Sequence, residues 1–200
     1  ENLQKSLKVE EVLKNKHGIA FALSNIAIAY SSVDNNEKAL EYNFKAMEIR
    51  KQDNNIDGVA SSQCNIANIY KIQKKYDKAI EFYEKAVENY TKEDGNGNGL
   101  AITLFNLGTV FDIQNKHLLA NEHFTRSTDM LRKKGSKDML IAVDLGVADF
   151  FLRTKQIKKA RAHTHEAFDI ALANDDKGNI KDCYLFFHKI DCAEMNFKGA

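Results

Sequence analysis

One stretch of this sequence has the residue types of a ligand loop. It is KEDGNGNG, residues 92–99, in which glycines alternate with Asp and Asn. A phosphate-binding loop would follow a strand and end in Gly-Lys-Ser or Gly-Lys-Thr, and this stretch does neither. A calcium loop would place a glutamate at its twelfth position, where this chain has Phe105. Gly99 also opens one unit of a repeat, so we interpret the stretch as a turn and predict no metal site there.

The histidines and cysteines offer little more chemistry. His163 and His165 are two residues apart on a predicted helix, so they point to different faces and cannot hold one ion together. The chain has three cysteines, and no two of them are spaced as Cys-x-x-Cys. This predicts buried free thiols rather than a disulfide framework. No serine or cysteine stands in a recognisable arrangement with His and Asp. The sequence therefore predicts no enzyme, no metal and no cofactor.

Composition limits the possible partners and indicates the fold class. The net charge is +1, which argues against a general electrostatic surface for nucleic acid or for an anionic membrane. No apolar stretch is long and clean enough to span a bilayer. Proline is absent from all 200 residues, and helix-forming residues occur throughout. These features predict an all-α protein.

An internal repeat is the strongest pattern in the chain. Similar segments begin at residues 18, 58, 99, 139 and 178, so the starts lie 40, 41, 40 and 39 residues apart. Each start predicts an amphipathic helix, and a second amphipathic helix follows it after a polar turn. Neither helix can bury its apolar stripe alone, so successive pairs must stack. A small residue recurs in one slot of the second helix: Ala39, Ala79, Ala120 and Ala160.

The repeat predicts the domain organisation as a single array. Its parts are the second helix of a truncated repeat at 1–17, four repeats at 18–57, 58–98, 99–138 and 139–177, and the first helix of a truncated repeat at 178–200. The last helix carries a row of large apolar residues, which are Tyr184, Leu185, Phe186, Phe187 and Ile190. We expect this row to pair with further repeats or with another copy of the chain.

The pattern of slots resembles the tetratricopeptide repeat. The small slots and the aromatic slot of the first helix, filled by Tyr30, Tyr70, Phe111 and Phe151, carry the resemblance. Units of about 40 residues are similar to the longer repeats of kinesin light chains and of bacterial sensor and regulator proteins. The resemblance implies an all-α, right-handed superhelical solenoid of antiparallel helix hairpins. The chain departs from the family pattern in lacking proline after the second helix and tryptophan in the first.

The resemblance also implies a binding face. First helices of this family line a concave groove that holds a peptide or a helix. The residues in the corresponding slots are Phe21, Ser24, Asn25, Ile28, Asn65, Asn68, Lys71, Phe105, Asn106, Thr109 and Asp149. The row of Asn25, Asn65 and Asn106 can hydrogen-bond to the backbone of a ligand, because a carboxamide both donates and accepts. The alternative is that these side chains form hydrogen bonds to neighbouring helices. The slots as a whole suit a neutral or mixed peptide.

A basic run offers a second candidate surface. Arg153, Lys155, Lys158 and Lys159 belong to a lysine- and arginine-rich segment between residues 131 and 161. We interpret this segment either as a solvated face or as a docking patch for an acidic partner.

The resulting functional prediction is a non-catalytic protein- or peptide-interaction module. The resemblance favours the sensor or scaffold part of a larger bacterial signalling or regulatory protein, in the cytoplasm or as a periplasmic sensor segment. The alternative is self-association as a homodimer through exposed terminal helices. A regulator of an enzyme, acting through a helix bound in the groove, would have the same sequence features. We expect no nucleic-acid partner and no membrane insertion.

Overall fold

The computed structural model describes residues 2–93 and 97–198, so Asp94 and Asn96 of the glycine-rich stretch lie outside the described residues. The described residues form ten α-helices and no strands, which confirms the all-α prediction. The helices are α1 (Asn2–Val12), α2 (Lys16–Ser31), α3 (Asn36–Gln52), α4 (Ile56–Ile72), α5 (Tyr76–Glu93), α6 (Asn98–Ile113), α7 (His117–Lys134), α8 (Lys137–Arg153), α9 (Ile157–Ala173) and α10 (Lys177–Lys198).

The chain divides into two compact units, Glu1–Lys116 and His117–Ala200. In the first unit α1 packs on α2, α2 pairs with α3, α4 pairs with α5, and α3 and α5 each contact the helix that follows. In the second unit α8 pairs with α9, α7 contacts α8, and α10 contacts both α9 and α8. The division between the units falls within the third predicted repeat, between α6 and α7. The limits of the repeats stay a prediction.

Small residues allow the paired helices to approach closely. Alanines in the repeated slots have no exposed surface: Ala27, Ala39, Ala46, Ala60, Ala67, Ala79, Ala86, Ala120, Ala148, Ala160 and Ala167. Large side chains then fill the space between the backbones, among them Ile66 and Leu104 in the first unit and Ile141 in the second. Burial of these side chains against the small residues fills the space between the helices within each unit.

The turns between helices share one local design. A residue with positive φ, between 51° and 61°, ends the helix in seven of the turns that the structure describes, at Lys14, Asp34, Asn54, Lys74, Asn115, Lys155 and Asp175. In three turns the next residue is an asparagine whose side chain accepts a hydrogen bond from the backbone of the following helix: Asn15, Asn35 and Asn55. These caps satisfy backbone N–H groups that would otherwise lack partners and so fix where the helix begins.

Candidate functional site

A cavity in the first unit contains three of the predicted groove residues. Its volume is about 380 Å³, and residues of α2, α3 and α4 and of the turn after α2 line it. The lining residues are Ala27, Ile28, Ser31, Ser32, Asn43, Asn65, Asn68, Ile69 and Ile72. The side chain of Ile28 is 57% exposed and that of Ile72 is 53% exposed, so the walls present apolar surface to an entering group.

Asn68 has its carbonyl oxygen fixed by the core. The hydroxyl of Tyr83 donates to Asn68 Oδ1 at 2.5 Å, and Tyr83 itself is fully buried. Burial raises the pKa of Tyr83 far above its ordinary value, so the phenol stays protonated and remains a donor. The amide nitrogen of Asn68 is therefore the group left to donate toward the cavity.

Asn43 contributes a buried acceptor that the sequence analysis missed. Its side chain is 2% exposed, and its Nδ2 donates to the carbonyl oxygen of Ala39 at 3.1 Å. Its Oδ1 is buried without a hydrogen-bond partner among the residues described. An unsatisfied buried acceptor of this kind favours a ligand that brings a donor. The only signal in the sequence is that Asn43 occupies the second-helix slot that Tyr83 and Phe124 fill elsewhere.

The asparagine row divides between the two interpretations. Asn106 Oδ1 accepts a hydrogen bond from Nζ of Lys71 at 3.3 Å, a contact between the neighbouring helices α6 and α4. The side chains of Asn25 and Asn65 are half-buried, and neither hydrogen-bonds to another described residue. Asn106 thus bonds across helices, whereas Asn25 and Asn65 keep carboxamides that a ligand can use.

Lys71 is a half-buried cation beside the cavity. Burial lowers the pKa of its ammonium group, because a charged group loses hydration there. The nearby thiol of Cys64 gives it no counter-charge, since burial raises the pKa of that thiol and keeps it neutral.

The remaining predicted groove residues of the first unit differ in accessibility. Phe21 is 60% exposed, whereas Ser24 is only 6% exposed and lies in the core, so Ser24 has little surface for a ligand. Phe105 and Thr109 are half-buried on α6. The Thr109 hydroxyl donates to the carbonyl oxygen of Phe105 at 3.0 Å and is therefore already satisfied within its own helix.

The basic run lies in the second unit, with its four predicted side chains exposed. Arg153 Nε donates to Asp149 Oδ2 at 2.8 Å, so this predicted groove carboxylate and this predicted patch cation neutralise each other. Nζ of Lys159 lies 5.1 Å from the centre of the Phe151 ring. Lys155 occupies the turn between α8 and α9, and Lys158 is on the first turn of α9.

A buried charge network in the second unit was not predicted. Asp144 has no exposed surface, and its Oδ1 lies 2.6 Å from Nδ1 of His163. Arg132 donates to both carboxylate oxygens of Glu166, at 2.5 and 2.6 Å, and lies 3.9 Å from Asp144. Burial raises the pKa of Asp144, and the hydrogen bond with His163 opposes that rise. The hydrogen bonds from Arg132 lower the pKa of Glu166.

The same network includes three groups of the types that bind metal ions. One ligand-type atom from each of Asp144, His163 and Glu166 lies within 4.8 Å of the others. The guanidinium of Arg132, however, already occupies both oxygens of Glu166 and supplies the positive charge. The arrangement is therefore an ion-pair network that holds α7, α8 and α9 together.

The terminal helices expose apolar side chains over a limited area. Val9 and Val12 on α1, and Leu13 directly after that helix, are 56%, 81% and 66% exposed. On α10, Tyr184 and Leu185 are 60% and 52% exposed. Ile190 is instead fully buried, and Phe186 and Phe187 are half-buried, so the exposed row is narrower than the sequence predicted.

Over the described ranges, no helix combines the length and the apolar character needed to cross a bilayer.

Solved structures share this fold over most of the chain. BtubC (BKLC) from P. vanneervenii is 15% identical with a TM-score of 0.86, over 98% of this chain and 83% of that one. RapI in its apo form is 20% identical with a TM-score of 0.64, over 99% and 76%. Aspartyl phosphate phosphatase F from Bacillus subtilis is 16% identical with a TM-score of 0.81, over 92% and 48%. At these identities the likeness shows the fold alone.

Sequence comparison gives the family. A search of curated proteins returned no significant match. Two tetratricopeptide repeat models match the chain, one over residues 58–133 and the other over residues 22–56. The matches support a protein-interaction module, and the absence of catalysis stays a prediction. The chain belongs to the tetratricopeptide repeat family.

Proposed function

We propose that the first unit binds a protein or peptide partner as an extended segment lying across α2, α4 and α6. The observation that supports this function is the cavity of about 380 Å³, which combines apolar walls with polar groups that lack partners. Asn43 Oδ1 needs a donor, and the carboxamide of Asn65 is unused within the described structure. A peptide backbone supplies a donor and an acceptor at every residue, so it suits these groups regardless of its side chains.

The apolar walls favour a bulky side chain in the same segment. Ile28, Ile69 and Ile72 line the cavity, and an aliphatic side chain placed against them removes apolar surface from water. The backbone hydrogen bonds then fix the orientation of the peptide while the apolar contact contributes to its affinity. This division of roles is common in sites that are mostly apolar with few polar groups.

The test uses a display library of short random peptides selected on the immobilised chain. We expect the selected peptides to bind the Asn65→Ala variant at least about tenfold more weakly than the parent, since about 1.4 kcal/mol is lost with buried hydrogen bonds to the backbone. Fluorescence anisotropy with each labelled peptide gives the dissociation constants.

The control for this test is Gln52→Ala, because Gln52 is exposed on α3 and does not line the cavity. The affinity of the Gln52→Ala variant for the same peptides should equal that of the parent chain. Selected peptides that bind Asn65→Ala and the parent equally would rule out this binding mode. A library that yields no binding peptide would also count against the proposed function.

The regulatory context is a finer part of the same proposal. We propose that the chain is the sensor or scaffold part of a larger bacterial signalling or regulatory protein, acting in the cytoplasm. The support is the resemblance to the longer repeats of bacterial regulators. Three free cysteines, Cys64, Cys183 and Cys192, are compatible with a reducing compartment.

Self-association is the second candidate function. The exposed apolar side chains of α1 and α10, such as Val12 and Leu185, favour it because burying them in a second copy would remove them from water. We expect the mass from light scattering to double as concentration rises, and Val12→Asp to keep the chain monomeric. A constant monomer mass at all concentrations would exclude this candidate and leave the peptide site unaffected.

A further inference from the structure

We propose that Lys71 makes the groove of the first unit selective for a peptide that carries an acidic side chain. The ammonium group of Lys71 and the carboxamide of Asn106 form the carboxylate-binding position, next to the apolar cavity. This inference rests on the proposed function, because it names the chemistry of the segment bound there.

The charge balance around Lys71 is the first argument. Three exposed lysines of the first unit pair with a glutamate four residues earlier: Lys45 with Glu41, Lys85 with Glu81 and Lys92 with Glu88. Lys71 is half-buried, yet across residues 2–93 and 97–198 no carboxylate forms an ion pair with it. A cation that has lost hydration without gaining a counter-ion is costly, so a ligand carboxylate placed there would relieve that cost.

The surroundings of the amine support this view. Its one hydrogen bond in the described structure goes to a neutral acceptor, Asn106 Oδ1, at 3.3 Å. The thiol of Cys64 remains uncharged because burial raises its pKa. Burial also lowers the pKa of Lys71, which is the expected direction for an ammonium group that lacks a counter-charge.

The available donors match a carboxylate. An ammonium group has three N–H donors, and Lys71 uses one of them on Asn106. The amide nitrogen of Asn106 has two more, and its oxygen is already engaged by Lys71. One carboxylate can accept from both side chains, and charge-assisted hydrogen bonds of this kind are stronger than neutral ones.

The neighbouring residues indicate what accompanies the acidic side chain. Asn68 and Ile72, which flank Lys71 on α4, both line the cavity. A segment that reaches Lys71 therefore also passes the apolar walls formed by Ile28 and Ile72. The expected partner is an extended peptide with an aspartate or glutamate close to a bulky aliphatic residue, which is a mixed rather than a uniformly acidic sequence.

The experiment applies the random peptide library in parallel to the parent chain and to Lys71→Met, Lys71→Glu and Lys51→Met. Lys51 is the matched control, because it is an exposed lysine on α3 outside the groove. In the pool selected on the parent, we expect one position to be enriched roughly tenfold in acidic residues, as for one charge-assisted contact. The Lys51→Met pool should show the same enrichment.

The Lys71→Met pool should lose the acidic preference, and the Lys71→Glu pool should prefer lysine or arginine at the same position. The inference is wrong if the parent pool shows no acidic preference, or if Lys71→Met keeps it. It is equally wrong if amidation of the peptide C-terminus abolishes binding, because the carboxylate would then be the chain end. In each case peptides that remain sensitive to Asn65→Ala would leave the proposed function standing.

Discussion

Replacing His163 with leucine is expected to lower the free energy of unfolding by about 3 kcal/mol at neutral pH, because it removes the nearest partner of a buried carboxylate. Asp144 has no exposed surface, and its Oδ1 lies 2.6 Å from the ring nitrogen of His163. Arg132, at 3.9 Å, is too far away to replace that hydrogen bond. Urea denaturation followed by circular dichroism measures the loss.

The loss of unfolding free energy in His163→Leu should increase from acidic to neutral pH. Burial raises the pKa of Asp144 above its ordinary value of 3.8, so ionisation of this group is less favourable in the folded chain than in the unfolded one. Loss of the His163 hydrogen bond raises the folded pKa further. The stability cost of ionising Asp144 is therefore absent below its ordinary pKa, grows as the pH rises from that value to the raised folded value, and is constant above it. The His163→Leu variant should approach the parent in acid and fall behind it toward neutral pH.

A double variant separates this mechanism from a simple loss of packing. The slot of Asp144 holds leucine in two other repeats, Leu23 and Leu104, so Asp144→Leu suits the local fold. With both substitutions we expect stability to return to within about 1 kcal/mol of the parent, because no buried charge then remains unpaired. If the two single losses simply add, the pair is not coupled and the mechanism is refuted. His165→Leu, at an exposed position of the same helix where the ring contacts Phe187 rather than a carboxylate, is the control for loss of a histidine ring.

Truncation of Tyr83 to alanine is expected to cost about 4 kcal/mol of unfolding free energy, the usual range for a large aromatic residue removed from a core. Tyr83 is among the largest side chains with no exposed surface in the described structure. Tyr83→Phe keeps the ring and removes only the hydroxyl that donates to Asn68. We expect that variant to lose about 1 kcal/mol, the typical contribution of one hydrogen bond.

The same pair of variants links the core to the binding face. Tyr83→Phe releases Asn68 Oδ1, so the carboxamide can rotate, and peptides selected on the parent should bind this variant more weakly. Thermal and urea unfolding of both variants give the stabilities, and anisotropy gives the affinities. If Tyr83→Phe is as unstable as Tyr83→Ala, the hydroxyl rather than the packed ring would be the main contribution, contrary to the expectation.

The sequence predicted what depends on periodicity. The helical class follows from the absence of proline and the spacing of apolar residues, and the alanine slots are fully buried. The position of a residue along a helix predicts its solvent exposure less well than it predicts the fold class. The exposure depends on the angle at which the neighbouring helix packs. Ser24 was expected in the groove and is buried, and Ile190 was expected in an exposed row and is buried.

Contacts between distant residues were beyond sequence analysis. Asp144 was recognisable as a carboxylate in a leucine-type slot, but its partner His163 is 19 residues away on another helix. Asn43 lies on a second helix, whereas the groove was predicted from first helices, so its contribution to the cavity could not be read from the slots. Lys71 was placed on the binding face, yet whether a carboxylate pairs with it depends on every neighbouring side chain, and none does so within the described residues.

The positive-φ residues that end the helices make the thermal tolerance of this protein adjustable without altering the predicted groove. A non-glycine residue in that conformation is disfavoured by about 1 kcal/mol, and three of the seven are lysines, Lys14, Lys74 and Lys155, a residue type that adopts it less often than Asn or Asp. Glycine at those three turns would relieve the strain step by step. A graded series of scaffolds would result, each with the same groove and a different melting temperature.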